Sequence, residues 1–205
     1  MGPSQHLQSR DNIRRERGRV KRLFDTIVAA VLLVVLFIPM LFIGLAVKLS
    51  SRGPALFWSR RVGLDNRIFM MPKFRTMYSN TPDVATHLLE DPEMYLTPIG
   101  SVLRRYSLDE LPQIWSILKG DMSLVGPRPA LHNQDDLVEF RTAKGIHMLT
   151  PGITGWAQVN GRDSISIPVK VQYEEYYMKH RSFLFDMKIL WMTFLKVVKS
   201  EGIKH

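Results

Sequence analysis

Residues 26–47 read TIVAAVLLVVLFIPMLFIGLAV, 22 positions without a charge. As a helix they rise roughly 33 Å, enough to cross the hydrocarbon core of a bilayer. The stretch is too long for a signal-peptide core, and no small-x-small cleavage site follows it. Pro39 sits past its middle, where proline removes a backbone hydrogen bond and kinks a helix. The flanks are cationic on both sides: Arg14, Arg15, Arg17, Arg19, Lys21 and Arg22 precede the segment, and Lys48, Arg52, Arg60, Arg61 and Arg67 follow it. Positive charge stays on the cytoplasmic side of a membrane. Two basic flanks therefore suit a hairpin that enters, breaks near Ile38-Pro39 and returns to the same face. A single span with basic ends is the competing reading.

Outward from this segment the composition sets bounds. The chain has 205 residues, 45% hydrophobic and 23% charged, so it can bury a core and is no disordered tail. Cysteine is absent, which excludes a disulfide framework and a cysteine zinc site. Lys+Arg 28 against Asp+Glu 19 gives +9, which favours an anionic partner: nucleic acid, a membrane surface or phosphorylated substrates. The opening MGPSQHLQ is a polar, unpatterned lead-in.

Beyond residue 50, Ala55–Trp58 and Arg67–Met71 flank Val62-Gly63-Leu64-Asp65-Asn66, the pattern of a β-hairpin. Residues 79–98 carry Pro82, Pro92 and Pro98 and suit a loop or short helices. Leu111, Ile114, Trp115 and Leu118 follow helical spacing, which predicts an amphipathic helix over 109–119 ended by Lys119-Gly120. Helices are also expected over 134–144, 169–180 and 183–200, and loops over 124–129 and 151–162. The last helix is apolar nearly all round, with Lys188, Lys196 and Lys199 along it. That fits a membrane interface with snorkelling lysines, and equally a buried core helix.

The chemistry-bearing residues cluster in four places. In Ser107-Leu108-Asp109-Glu110-Leu111-Pro112, proline fits only the first turn of a helix, so both carboxylates fall at a helix N-terminus. There the dipole favours the ionised form. Such a carboxylate can attack phosphorus, and adjacent carboxylates can hold Mg²⁺ beside a substrate phosphate. The same residues also match a plain S-x-x-E capping box. In Gly126-Pro127-Arg128-Pro129, a stiff loop presents Arg128, either to a phosphate or to a carboxylate. Residues 150–162, TPGITGWAQVNGR, hold three glycines, Gln158, Asn160 and Arg162, as a loop for a phosphorylated ligand or as simple turns. Lys73-Phe74-Arg75 sets two cations about an aromatic, for phosphate contact or as a basic surface strand. No P-loop, G-x-G-x-x-G or HExxH is present, and Asp135-Asp136 and Glu174-Glu175 read as solvated helix charges.

Taken in order, these pieces resemble the bacterial sugar transferase family, the small monotopic polyprenyl-phosphate sugar-1-phosphate (phosphoglycosyl) transferases. The resemblance runs from about Val20 to Lys199 and rests on KRLFDTIVA, Pro39, GPALFWSRRVG, KFRTM, SLDELPQIWSILKGDMSLVGPRPAL and PGITGWAQVNGR. Ile38 stands where many members carry Ser, and Ser59 where Gln is common. The resemblance implies a mainly helical α+β fold: a re-entrant membrane helix hairpin, a small β-hairpin, and amphipathic interfacial helices around an active site on the cytoplasmic face of the bacterial inner membrane. Residues 1–19 would form a flexible basic N-terminus, 20–49 the re-entrant helix and 50–205 the membrane-associated catalytic domain. It implies a UDP-sugar donor, a polyprenyl (undecaprenyl) phosphate acceptor, release of UMP, and Mg²⁺ as cofactor. Asp109 matches the nucleophile of a ping-pong scheme and Glu110 its partner and Mg²⁺ ligand. Lys73, Arg75, Arg128, Gln158, Asn160 and Arg162 would bind substrate, and Asp186 matches a recurrent acidic position. Membrane lipids are expected partners and nucleic acid is not. Homo-oligomer formation is left open. The alternative is a membrane-anchored basic binding or scaffold module without catalysis, which leaves Asp109-Glu110 and the polar loops unexplained.

Overall fold

One helix, α1 (Pro3–Ser50), opens the chain in this computed structural model, which describes residues 3–82, 91–161 and 165–199. It begins in the polar lead-in, passes through the basic stretch and runs helically through Pro39, where a break was expected near Ile38-Pro39. Pro39 costs the helix the one N–H that would reach the Val35 carbonyl. Residues on both sides of it are packed: Leu32, Leu33 and Leu36 before the proline and Met40, Ile43 and Val47 after it lie against the rest of the protein. The inward positions Asp25, Ala29, Leu32, Leu36, Met40, Ile43 and Val47 recur at helical spacing. The outward stripe, Ile27, Val31, Val34, Ile38, Leu41 and Leu45, is equally apolar and exposed.

The charges of KRLFD fasten the start of this segment. Lys21 Nζ donates to Asp186 Oδ2 at 2.7 Å, and Asp25 accepts from Ser123 Oγ at 2.6 Å. Arg22 donates to the carbonyls of Ile117 and Leu118, the last turn of a helix described below. A cation there is favoured by the helix dipole.

The expected hairpin forms, and is longer than predicted: β1 (Leu56–Val62) pairs antiparallel with β2 (Ile68–Phe74) across a 3₁₀ turn, Leu64–Asn66. Asp65 and Asn66 have positive φ, a conformation that Asn and Asp tolerate better than most residues. Ser59, at the departure from the family pattern, is buried and accepts from Arg61 Nε at 2.9 Å. A short strand, β4 (Ala130–Leu131), adds to the other edge of β1.

Between them run α2 (Gly100–Arg105), a 3₁₀ turn (Leu108–Gln113), α3 (Ile114–Lys119) and β3 (Ser123–Val125). The helix expected over 109–119 is thus divided. Its first half is 3₁₀ and carries Pro112; its second half is α-helical and ends at Gly120 with φ 96°, a left-handed cap that suits glycine. Ile114 and Ile117 are buried, while Trp115, placed on the apolar stripe by its spacing, is half exposed.

The remainder is α4 (Asp135–Ala143), β5 (Gly152–Thr154), α5 (Trp156–Asn160), α6 (Ile167–His180) and α7 (Phe183–Lys199). Residues 151–162, expected as loop, therefore contain a strand and a one-turn helix. The strand exists because β5 lies parallel to β3, a long-range pairing that local sequence does not display. α7 has one buried face and one exposed apolar face. Ile189 and Asp186 are buried, whereas Leu184 is 78% and Trp191 61% exposed.

Candidate active site

Asp109 and Glu110 lie in the 3₁₀ turn, which rests on β2. Ser107 enters it with φ 54°, a left-handed conformation uncommon for serine, and its side chain makes no capping hydrogen bond. The capping-box reading therefore fails. The Glu110 carboxylate is turned away to two cations: Lys73 Nζ donates to Oε1 at 2.9 Å, and Arg128 donates to Oε1 at 2.6 Å and Oε2 at 3.3 Å. Lys73 Nζ also stands 3.8 Å from Asp109 Oδ2, at ion-pair rather than hydrogen-bond distance.

The two neighbours titrate in opposite directions. Burial pushes the Asp109 carboxyl above the usual carboxylate range; Lys73 opposes the rise and the charge of Glu110 adds to it. Burial also works against Glu110, but the Arg128 and Lys73 cations outweigh it and hold this carboxyl well below the usual range. The expectation that a helix N-terminus favours ionisation of both groups is corrected for Asp109. The turn is a short 3₁₀ segment and desolvation dominates.

Both loops around the dyad follow from the β3–β5 ladder. Two parallel strands end side by side, so Gly126-Pro127-Arg128 after β3 and Gly155-Trp156 after β5 leave the same edge, the edge at which open parallel sheets bind ligands. They touch closely: a Cβ on Gly155 would fall on the Gly126 carbonyl, so glycine is needed there.

Of the residues singled out in the sequence, Lys73, Arg128, Asp109 and Glu110 come together. Arg75 does not join them. It lies just past β2, and its guanidinium donates to the carbonyls of Ser51 and Arg52 and to Ser51 Oγ, locking the turn between α1 and β1. Gln158 and Asn160 lie in α5, and their hydrogen bonds are local: Gln158 Nε2 to Ile153 O at 3.5 Å and Asn160 Nδ2 to Trp156 O at 2.7 Å. The Gln158 Oε1 atom is buried without a partner among the described residues. Arg162 lies outside the described residues. Asp186 is bonded by Lys21 and, at 2.7 Å, by Tyr177 Oη, an anchor for α1 and α6. Glu174, assigned above to solvent, is buried against Arg141.

The sequence reading passed over Arg104. It donates from Nε to Thr76 Oγ1 at 3.0 Å, and its charge acts on Asp109. Its place at the end of α2, just before the turn that bears the dyad, was the available signal, but Arg105 beside it looked the same and is exposed.

Hard oxygen donors suit Mg²⁺, which commonly takes one or two carboxylates and completes its shell with water and phosphate. Asp109 and Glu110 offer that number. No cluster of three or more His, Cys, Asp or Glu side chains occurs among the described residues, so a closed all-protein metal cage is not built there.

Known proteins are similar to this chain over most of its length. The Bacillus subtilis (strain 168) protein described as "Uncharacterized sugar transferase EpsL" is 44% identical over 186 residues, covering 91% of each chain. The Aeromonas hydrophila UDP-N-acetylgalactosamine-undecaprenyl-phosphate N-acetylgalactosaminephosphotransferase is 37% identical, over 90% of this chain and 45% of its own. The Escherichia coli (strain K12) UDP-glucose:undecaprenyl-phosphate glucose-1-phosphate transferase is 40% identical, over 87% of this chain and 40% of its own. The present chain thus spans nearly all of the short relative and under half of the two long ones. The family model for bacterial sugar transferases matches residues 16–200, which include the dyad, both flanking loops and the apolar helix, and the chain belongs to that family.

Proposed function

We infer that the chain transfers a sugar-1-phosphate from a UDP-sugar to undecaprenyl (polyprenyl) phosphate, releasing UMP. The observation that carries this is the division of labour in the dyad. Among the described residues, Glu110 is hydrogen-bonded by Lys73 and Arg128, whereas the Asp109 carboxylate has Lys73 at ion-pair rather than hydrogen-bond distance. Asp109 Oδ attacks the sugar-bearing phosphorus. The P–O bond to the bridging oxygen breaks and UMP leaves with both electrons. An oxygen of the lipid phosphate then attacks the same phosphorus, and the bond to Asp109 breaks, restoring the carboxylate. Lys73 and Arg128 bind and orient the donor diphosphate and draw off its charge, so that an anion can approach. Gln158 and Asn160, carried by α5, and Arg162 serve the donor. Asp109 and Glu110 are the residues that would hold Mg²⁺, which when bound neutralises phosphate charge. Burial raises the Asp109 pKa, which makes its ionised form the stronger nucleophile for the first step.

The exposed apolar stripes of α1 and α7 support attachment to a membrane. Both halves of α1 dock on the same domain, which favours a segment that enters and leaves by one face over a span with an end on each side. The loops bearing the cations would then face the cytoplasm, where UDP-sugars are supplied. The test is UMP release by full-length protein in nanodiscs with Mg²⁺, undecaprenyl phosphate and a panel of UDP-sugars. Asp109→Asn lowers the rate by at least ~10³-fold, as removal of a nucleophile does. Asp109→Asn protein as active as wild type refutes the assignment.

A further inference from the structure

We propose that Arg141, oriented by Glu174, is the positioning residue for Arg128. This deepens the proposed function and rests on its placing Arg128 at the donor phosphates.

Four backbone groups of residues 126–129 are held by named partners. Gly126 N donates to Thr154 O at 2.9 Å, and Pro127 O accepts from Gly152 N at 2.9 Å. The partners in both bonds belong to β5. The next two come from arginine side chains on other elements. Arg128 O accepts from Arg141 Nη2 at 2.9 Å, and Pro129 O accepts from Arg61 Nη1 at 3.2 Å. The peptide that carries the Arg128 side chain is thus fixed by a side chain of α4.

Arg141 can do this because Glu174 aims it. Arg141 Nε donates to Glu174 Oε2 at 2.8 Å and Nη2 to Glu174 Oε1, a forked pair that sets the guanidinium plane. Glu174 is 2% and Arg141 7% exposed. A buried ion pair is weak evidence for stability, since apolar residues of similar volume often serve as well or better. This pair does what apolar residues cannot: it presents a third N–H to the Arg128 carbonyl. Lysine in its place keeps the charge and loses the fork. The path then runs Glu174 to Arg141, to the Arg128 carbonyl, to the Arg128 guanidinium on Glu110.

The experiment is a double-mutant cycle on the full chain in nanodiscs, reading kcat and KM for UMP release with the best UDP-sugar. The variants are Arg141→Lys, the paired Arg141→Met/Glu174→Met, Arg128→Ala, and each combined with Arg128→Ala. The paired variant removes both charges and so keeps the core folded; Arg141→Lys covers the case in which it does not. A misplaced binding group costs roughly 10- to 100-fold in kcat/KM. We expect that loss when Arg128 is present and a change under about twofold in the Arg128→Ala background, because the effect passes through Arg128. Equal losses in both backgrounds, or none in folded variants, overturn the proposal. If wild type releases no UMP with any donor, the functional reading fails by itself. Backbone hydrogen exchange of the peptide spanning 126–131 then decides. Faster exchange there in Arg141→Lys, with residues 56–62 unchanged, supports the positioning role, and unchanged exchange refutes it.

Discussion

Glu110 and Glu174 each meet an arginine fork, one end-on through both Nη atoms and one side-on through Nε and Nη2, and the two pairs do different things. Each carboxylate takes a forked guanidinium, Arg128 on Glu110 and Arg141 on Glu174. The Glu174 pair is closed, with side chains 2% and 9% exposed. The Glu110 pair opens outward: the Arg128 side chain is 27% exposed, and Lys73 shares the carboxylate. A cation that water can reach can also exchange its carboxylate for a phosphate. A cation sealed from water is committed to the partner it has. Access, rather than the pairing, separates a binding group from a strut.

The largest expected effect that sharpens this contrast is on stability. Arg141→Met strands Glu174 as an uncompensated buried charge and costs about 3–5 kcal/mol. Arg128→Met leaves Glu110 its second cation, Lys73, and costs less. Urea unfolding of both variants in detergent measures the difference. Equal losses would break the comparison.

A smaller effect is expected from pH. Glu110 is depressed, so it stays ionised on mild acidification. Its contribution to stability is present above the unfolded glutamate value near ~4.3 and is lost only as pH falls through its lower folded value. Asp109 is raised, so its buried charge opposes folding at neutral pH, and acid relieves that opposition as pH falls through its folded value toward the lower unfolded one. Activity needs the ionised form. The acid limb of kcat/KM therefore follows Asp109, lies above the ordinary aspartate range, and appears before stability is lost. An acid limb that coincides with unfolding would contradict this.

The smallest effect is a shift of that limb. Lys73 lowers the Asp109 value, so Lys73→Met moves the limb further up in pH, whereas Lys144→Met, a change at an exposed ion pair of Glu175, leaves it in place. A pH–rate profile of each variant checks both statements.

The same contrast shows why the sequence was legible in some places and opaque in others. Asp109-Glu110 stood out because Pro112 fixed a turn beside them and GPRP and PGITG framed them. Glu174-Glu175 offered no such frame, and nothing local distinguishes the buried acid from its neighbour, which faces Lys144 and Lys179. Lys73 and Arg75 were read as one cationic motif. The strand end separates them, one reaching the dyad and the other locking the 51–52 turn.

By itself the sequence determined the apolar helix, the hairpin, the helices α4, α6 and α7 to within about two residues, and the dyad. All of these rest on short-range periodicity, on proline and glycine geometry, and on contiguous motifs. Only the tertiary structure decided which apolar face of α1 turns inward, because both faces are hydrophobic and packing alone chooses. It decided that the 151–162 segment contains a strand, because the partner strand lies some thirty residues earlier. It also decided which arginines meet which acids, because a long charged side chain takes its partner from whatever folding brings within reach.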